Sequence, residues 1–276
     1  MRRLLLLTFV LFTSLVSIRC QTVDSLIASA PESTAGHLIV VGGGGTPKSV
    51  LERGVELAGG SPRVAVVPYA SAREDRGDGS VEMWLEAGAK EAWNVEDLDE
   101  QAALEALATA ELIWMPGGSQ SRLMTALDEH GFLEPIRRAH AAGATVGGTS
   151  AGAAVMTSVM IAESPERLGF TRGRTPTGEG LGLFPGAIVD QHFIRRGRNT
   201  RLLQTVLDHP ERVGFGIDER TALIAGPDGK VEIAGESHVL VYDARSAEVQ
   251  IDENSGVQGA REVKLDVLRP GDRFEF

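Results

Sequence analysis

Short runs of β-branched and apolar residues alternate along the chain with stretches in which apolar positions recur every three or four residues. His37–Val41, Arg63–Val67, Glu91–Val95, Leu112–Met115 and Ala144–Gly147 read as strands. Lys48–Ala58, Val81–Ala87, Gln101–Ala110 and Phe132–Ala142 carry helical periodicity between them. Strands alternating with single helices at this spacing form parallel sheets covered on both sides. The expected fold class is therefore α/β, a mostly parallel central sheet with helices on both faces. Beyond Val213 the texture changes to short strands and turns: Leu223–Ala225, Pro227-Asp228-Gly229, Val231–Ala234 and Val239–Tyr242. These predict antiparallel elements toward the C-terminus, packed on the same sheet. No linker, repeat or low-complexity block interrupts residues 37–276, so one domain is expected there.

Residues 1–20 follow another pattern. Arg2 and Arg3 precede an apolar run, Leu4–Val16. Such a run suits a signal peptide but falls short of the roughly 20 residues that span a bilayer. It predicts export to a periplasmic or extracellular space. Cys20 stands where a lipoprotein would carry its lipid, although Arg19 is a poor neighbour for that role; an uncleaved interfacial anchor is the alternative. Residues 21–36, rich in Ser, Ala, Pro, Glu and Thr, read as a flexible leader. Cys20 is the only cysteine among 276 residues, which excludes a disulfide or a two-cysteine metal site. A formal net charge of −11 argues against nucleic acid as a partner. The histidines at 37, 130, 140, 209 and 238 show no metal-ligand spacing, and no metal or organic cofactor is expected.

Four motifs carry candidate chemistry. Gly42–Gly45 follows a strand and precedes a helix, but Pro47 occupies the third position of a dinucleotide fingerprint. A tight turn that lets backbone approach another loop is the better reading. Gly148-Thr149-Ser150-Ala151-Gly152 is G-x-S-x-G between a strand and a helix expected over Ala151–Met160. That is the setting of a nucleophile elbow, the alternative being a Ser cap in a glycine-rich turn. Met115–Gln120 ends another strand; its glycines would turn amides toward the elbow, so Gly118 and Ala151 are the candidate oxyanion donors. Asp190-Gln191-His192-Phe193 ends a further strand, with His192 the candidate base for Ser150. Glu163, Glu166, Asp218 and Glu219 are acids that could orient its imidazole. Arg196, Arg198 and Arg201 crowd the start of a helix expected over Arg198–Asp208, where positive charge opposes the dipole. A bound anion would relieve that conflict, and Ala substitution at Arg196 or Arg198 should then cost little stability.

Taken together, Gly147–Ala153, Gly180–Leu183, Asp190–Phe193 with its three arginines, and Gly216–Glu219 resemble cyanophycinase, among the peptidase E-like serine peptidases. The likeness covers about His37 to Asp243. The resemblance implies a fold similar to class I glutamine amidotransferases. It also implies hydrolysis of cyanophycin, a poly-aspartate bearing arginine on each β-carboxyl, to β-Asp-Arg dipeptides. By the same resemblance Ser150 is the nucleophile and His192 the base. Glu163, in Glu163-Ser164-Pro165, is the expected triad acid, with Glu166 as its rival. Gln120, Asp190, Gln191, Arg196, Arg198, Arg201 and Glu219 are the expected substrate contacts, and a homodimer is the family's habit. The family's Gly-Gly-Asp-Gln loop is Gly117-Gly118-Ser119-Gln120 here, which bears on substrate choice. The alternatives are an Asp-X or isoaspartyl dipeptidase, an α/β-hydrolase esterase using Ser150, Asp218 and His238, and an inactive binding homologue. A glutaminase is excluded, because the elbow carries Ser150 instead of a cysteine.

Overall fold

Alternation within the first strand sets the layers. β1 (Leu38–Val41) sends Leu38 and Val40 into one apolar cluster and Ile39 and Val41 into another, one on each face of the sheet. The structure, a computed structural model, describes residues 35–276. The expected targeting segment 1–20 and the leader through residue 34 lie outside the described residues. The end of that leader already belongs to the fold, since the Gly36 amide donates to the His140 carbonyl (2.8 Å).

The βα alternation runs through α1 (Lys48–Leu57), β2 (Arg63–Val66), α2 (Asp78–Ala87), β3 (Glu91–Asn94), α3 (Glu100–Thr109) and β4 (Leu112–Met115). Then α4 (Gln120–Glu129) and α5 (Leu133–Ala141) precede β5 (Thr145–Thr149) and a single turn, α6 (Ala151–Ala154). Side-chain caps start two of these helices: Asp99 accepts from the Ala102 amide, and Ser119 from the Arg122 amide. The chain continues through β6 (Val159–Ile161), β7 (Thr177–Glu179), β8 (Ala187–Gln191), α7 (Asn199–Asp208), β9 (Val213–Ile217) and β10 (Thr221–Ala225). It ends with β11 (Lys230–Gly235), β12 (Val239–Asp243), β13 (Glu248–Ile251), β14 (Gln258–Arg261), β15 (Lys264–Leu268) and β16 (Arg273–Glu275).

Eight strands form the main sheet in the order β16-β11-β10-β1-β5-β4-β2-β3. The five from β1 to β3 are parallel, and β10, β11 and β16 extend the sheet antiparallel. The expected α/β class with an antiparallel finish is borne out. One detail differs, because β9 and β12 do not join this sheet. With β8 and β15 they form a second sheet, β15-β12-β9-β8. Its inner face shares a core with the main sheet, while α7 covers the other, where Leu202 and Val206 cluster with Phe193 of the preceding loop and Tyr242 of β12.

The helix expected over Ala151–Met160 stops after one turn. Thr157 hydroxyl donates to the carbonyls of Ala154 (3.3 Å) and Val159 (2.8 Å), turning the backbone away from the helical path. The β-branched Val159 and Ile161 then enter β6.

Glycines set how closely α7 and its preceding loop approach the second sheet. A Cβ on Gly216 would lie 2.3 Å from the Phe193 ring, and one on Gly214 would lie 2.5 Å from Val206. Phe193 follows His192 directly, so this contact also fixes a functional loop. Gly216→Ala should lower stability by about 1–3 kcal/mol through overpacking, visible as a fall of several degrees in thermal midpoint. Gly259→Ala, whose new Cβ meets no atom within 4 Å, is the comparison expected to leave the midpoint in place.

Candidate active site

Both glycines of the G-x-S-x-G segment are required by close backbone contacts, Gly152 by the Met115 carbonyl at the end of β4 and Gly148 by that carbonyl and by Gly152 itself. A Cβ on Gly152 would lie 1.9 Å from that oxygen and one on Gly148 would lie 2.8 Å away. Without side chains there, α6 packs down on the strand ends and Ser150 is turned outward. Its backbone takes φ 54° and ψ −107°, a region non-glycine residues rarely occupy. The conformation is anchored by the Ser150 amide, which donates to Val41 (2.9 Å), and by two α6 amides, which donate to the Ser150 carbonyl.

His192 arrives from the second sheet, one residue beyond β8, also with positive φ (50°). Its amide donates to the Gly42 carbonyl (2.7 Å). Its Nε2 lies 2.9 Å from Ser150 Oγ, and its Nδ1 lies 2.7 Å from Glu219 Oε1. A carboxylate accepts, so Nδ1 carries the proton and Nε2 is left to accept from the serine hydroxyl. Burial is the main influence on the imidazole and holds its pKa below the ordinary histidine value. Arg196 and Arg198 push the same way, against the opposing pull of Glu219.

The glycine run explains how these groups fit. A Cβ on Gly43 would lie 2.4 Å from His192 Cε1, and one on Gly44 would lie 2.6 Å from Glu219 Cβ. The loop closes further where the Arg220 amide donates to the Gly43 carbonyl (2.7 Å). Gly42–Gly45 is therefore the seat of the imidazole and its carboxylate, the close backbone approach expected of it.

The position of the acid corrects the expectation. Glu219, beyond β9, occupies His192 Nδ1, whereas Glu163 and Glu166 are exposed and neither contacts the imidazole. Glu163-Ser164 serves another purpose, since Ser164 hydroxyl accepts from Arg201 (2.9 Å). The local context of Glu163 could not reveal this. Glu219 pairs with His192 because β8 and β9 are parallel neighbours, in register at Gln191 and Ile217. The esterase arrangement is not assembled. Asp218 accepts from the Arg195 amide and the Ser237 hydroxyl, and His238 is exposed.

The remaining expected contacts divide sharply. Asp190, with no side-chain exposure, accepts two hydrogen bonds from the buried Arg201, one of them at 2.7 Å. Arg198 donates to the Gln191 carbonyl (2.6 Å) and to the Gln191 side chain, and lies 3.4 Å from Asp190. Burial, with repulsion from Arg201 and Arg196, pushes the Arg198 pKa down to about 10. Two guanidiniums thus share one buried carboxylate. Arg196 is exposed; its amide donates to the His192 carbonyl (2.9 Å), and its guanidinium has no hydrogen-bond partner among the described residues. Gln120 donates to the carbonyls of Ile161 (2.9 Å) and Ala162 (2.7 Å), which ties α4 to the end of β6. Gly117 lies against Ser150: a Cβ there would be 3.3 Å from the serine Cβ. Gly118 packs on the Ala70 carbonyl, and Ala151 opens α6, where a helix has free amides.

An outward serine on a strained strand-to-helix turn, hydrogen-bonded to a histidine that a carboxylate orients, defines a serine-type hydrolase. Residues 38–233 match Peptidase family S51, and the chain belongs to that family. It is thus a serine-type peptidase, and the resemblance drawn from the sequence is borne out. The cyanophycinase of Geminocystis herdmanii is 36% identical over 245 residues, covering 82% of this chain and 88% of that protein. The cyanophycinase of Trichormus variabilis is 33% identical over 271 residues, covering 91% and 89%. The fold is similar to the crystal structure of a peptidase from an acI-B1 Actinobacterium, with a TM-score of 0.61 and 22% identity. That likeness covers 88% of this chain and 97% of that one. Among the described residues no helix is long and apolar enough to cross a membrane.

The partition of the arginines has a measurable consequence. Arg201→Ala takes from the buried Asp190 its two-pronged partner, leaving it the longer Arg198 contact and the Gln191 amide, and should cost about 3–5 kcal/mol, a large drop in thermal midpoint. Arg196→Ala should leave the midpoint within a degree or so of the parent, read in the same calorimetric series.

Proposed function

We propose that this chain is an exported cyanophycinase-type peptidase that hydrolyses the poly-aspartate backbone of cyanophycin to β-Asp-Arg dipeptides, with Ser150, His192 and Glu219 as its triad. The observation that carries the catalytic part is the relay of 2.9 Å and 2.7 Å contacts linking the three side chains. The cyanophycinase relatives support the substrate, and the basic n-region with its short apolar run supports export. Ser150 Oγ attacks a main-chain carbonyl carbon while His192 Nε2 takes its proton. The amides of Gly118 and Ala151 receive the developing oxyanion. His192 then protonates the departing amine, and a water repeats the sequence to release the acyl group. Glu219 holds the imidazole in its productive tautomer throughout.

The charge around Asp190 supports a carboxylate-bearing substrate. Arg201 and Arg198 already share the Asp190 carboxylate, so the Arg196 side chain, which faces Arg198 as a like charge and has no acid of its own, is free to pair bidentately with a substrate carboxylate. Asp190 and Arg201 then act as the support that holds Arg198 and Gln191 in place. Ser119, in the position of the family's aspartate, caps α4. Aspartate and serine cap a helix almost equally well, so the exchange preserves that scaffold and gives no support to a changed substrate.

Turnover of cyanophycin compared with Asp-X and β-Asp-X dipeptides tests the substrate. Cleavage of the dipeptides alone would sink the cyanophycin reading. Ser150→Ala should lower kcat by about 10³-fold or more, and Glu219→Gln should reduce kcat far more than Glu163→Gln. The reverse ranking would return the acid to Glu163.

The pH profile gives a second check on the triad. Neutral His192 is the base, so kcat/KM falls as pH drops through its pKa. That acidic limb should lie below pH 6.5, the ordinary histidine value. Arg196→Ala removes a charge that disfavours the imidazolium, so the limb should move to higher pH. Glu219→Gln removes a charge that favours it, so residual activity should titrate at lower pH.

A further inference from the structure

A second cavity, of about 680 Å³, opens between the start of α3 and one face of α4. It does not include Ser150 or His192, yet it shares a wall with the catalytic loop. The Ala70 carbonyl accepts from the Ser119 amide (2.9 Å) and from Arg122 (3.1 Å), and Gly118 packs on the same oxygen. Arg122 lines the cavity beside that junction. So does Tyr69, 8% exposed, whose hydroxyl has no hydrogen-bond partner among the described residues. That hydroxyl opens to the cavity and is not sealed in the core, so a ligand can reach it. The faces of its ring are already occupied, by His130 stacked at 4.7 Å and by the Arg76 guanidinium at 5.8 Å, which leaves the hydroxyl as its available group.

Three charged side chains of the cavity are left without a charged partner. Arg76 is paired with Glu96. Arg122, Glu100 and Glu129 form no ion pair among the described residues. Arg122 and Glu129 lie on the same face of α4, seven residues and about 10 Å apart along its axis. The Arg122 end therefore offers a guanidinium to a carboxylate, and the Tyr69 hydroxyl, whose ring stacks on His130, opens between the two ends. The Glu129 end offers a carboxylate to a cation, and Glu100, at the start of α3, adds a second one to the lining.

We infer that this cavity is a remote subsite for a zwitterionic Asp–Arg unit. Its carboxylate lies on Arg122 and Tyr69, and its guanidinium lies between Glu100 and Glu129. The inference rests on the proposed polymer substrate and adds a grip on a unit away from the bond under attack. The volume is in the range that encloses small ligands.

Calorimetric titration of β-Asp-Arg dipeptide into full-chain Ser150→Ala protein tests it. Two binding events are expected. One should be lost or weakened at least about 10-fold by Glu129→Gln or Arg122→Gln, and several-fold by Tyr69→Phe, consistent with lost charge-assisted and neutral hydrogen bonds respectively. Arginine alone and aspartate alone should each compete weakly for it. Glu129 and Arg122 are exposed, so their substitution spares the core, and circular dichroism verifies folding. A single binding event, or two events indifferent to Glu129→Gln and Arg122→Gln, overturns the inference. Cyanophycin turnover by the unsubstituted enzyme judges the underlying reading separately. No turnover beside a retained, Glu129-dependent event sinks the substrate proposal and supports the cavity.

Discussion

The close approach of the Gly42–Gly45 loop to the segments that follow β8 and β9 is the constraint on which the site depends. The two hydrogen-bonded side chains come from different sheets, Ser150 from the end of β5 and His192 from the end of β8. Neither sheet alone determines their separation. What fixes it is a chain of backbone contacts: the His192 amide on Gly42, the Arg220 amide on Gly43 and the Ser150 amide on Val41. Each contact is short because Gly42, Gly43 and Gly44 leave no side chain in the way. The loop thus serves as a template against which imidazole, carboxylate and hydroxyl are all measured.

A second constraint supports the first from below. Asp190 is sealed beneath the site and held by Arg201, which also reaches Ser164. That buried pair joins β8, α7 and the loop after β6 into one unit. A half-broken pair would leave a charge in an apolar setting, so the arrangement penalises partial opening more than it stabilises the fold. The arginine string therefore has two functions along one short stretch. Arg201 is scaffold, Arg198 is wedged against Gln191, and Arg196 faces outward.

Much of this was legible in the residues because local chemistry encodes it. β1 through β5 follow from apolar runs, and the elbow follows from two small residues flanking Ser150. Other features depend on through-space neighbours that no local spacing reports. The choice of Glu219 over Glu163 is made by the pairing of β8 with β9. The burial of Arg201 is decided by the Asp190 beneath it, although the sequence shows only positive charge crowding a helix start. The close packing of α7 and Phe193 on β9 rests on Gly214 and Gly216, whose small size has this meaning only once their neighbours are known. The end of α6 was visible only in hindsight, since Thr157 breaks a helix only when its hydroxyl finds carbonyls to bond.

The left-handed backbone at Ser150 restricts which mutational paths are open to this enzyme. At φ 54° the Cβ is already crowded, and a second heavy atom on it adds to a strain of about 1–3 kcal/mol. Threonine carries the same hydroxyl but also that extra methyl, so it is poorly accommodated. Cysteine keeps an unbranched Cβ and fits the same turn. The elbow therefore leaves serine-to-cysteine exchange sterically open and makes serine-to-threonine exchange costly, although both are single-base changes from some serine codons. The backbone angle, more than the chemistry of the nucleophile, bounds the catalytic variants that descendants of this chain can sample.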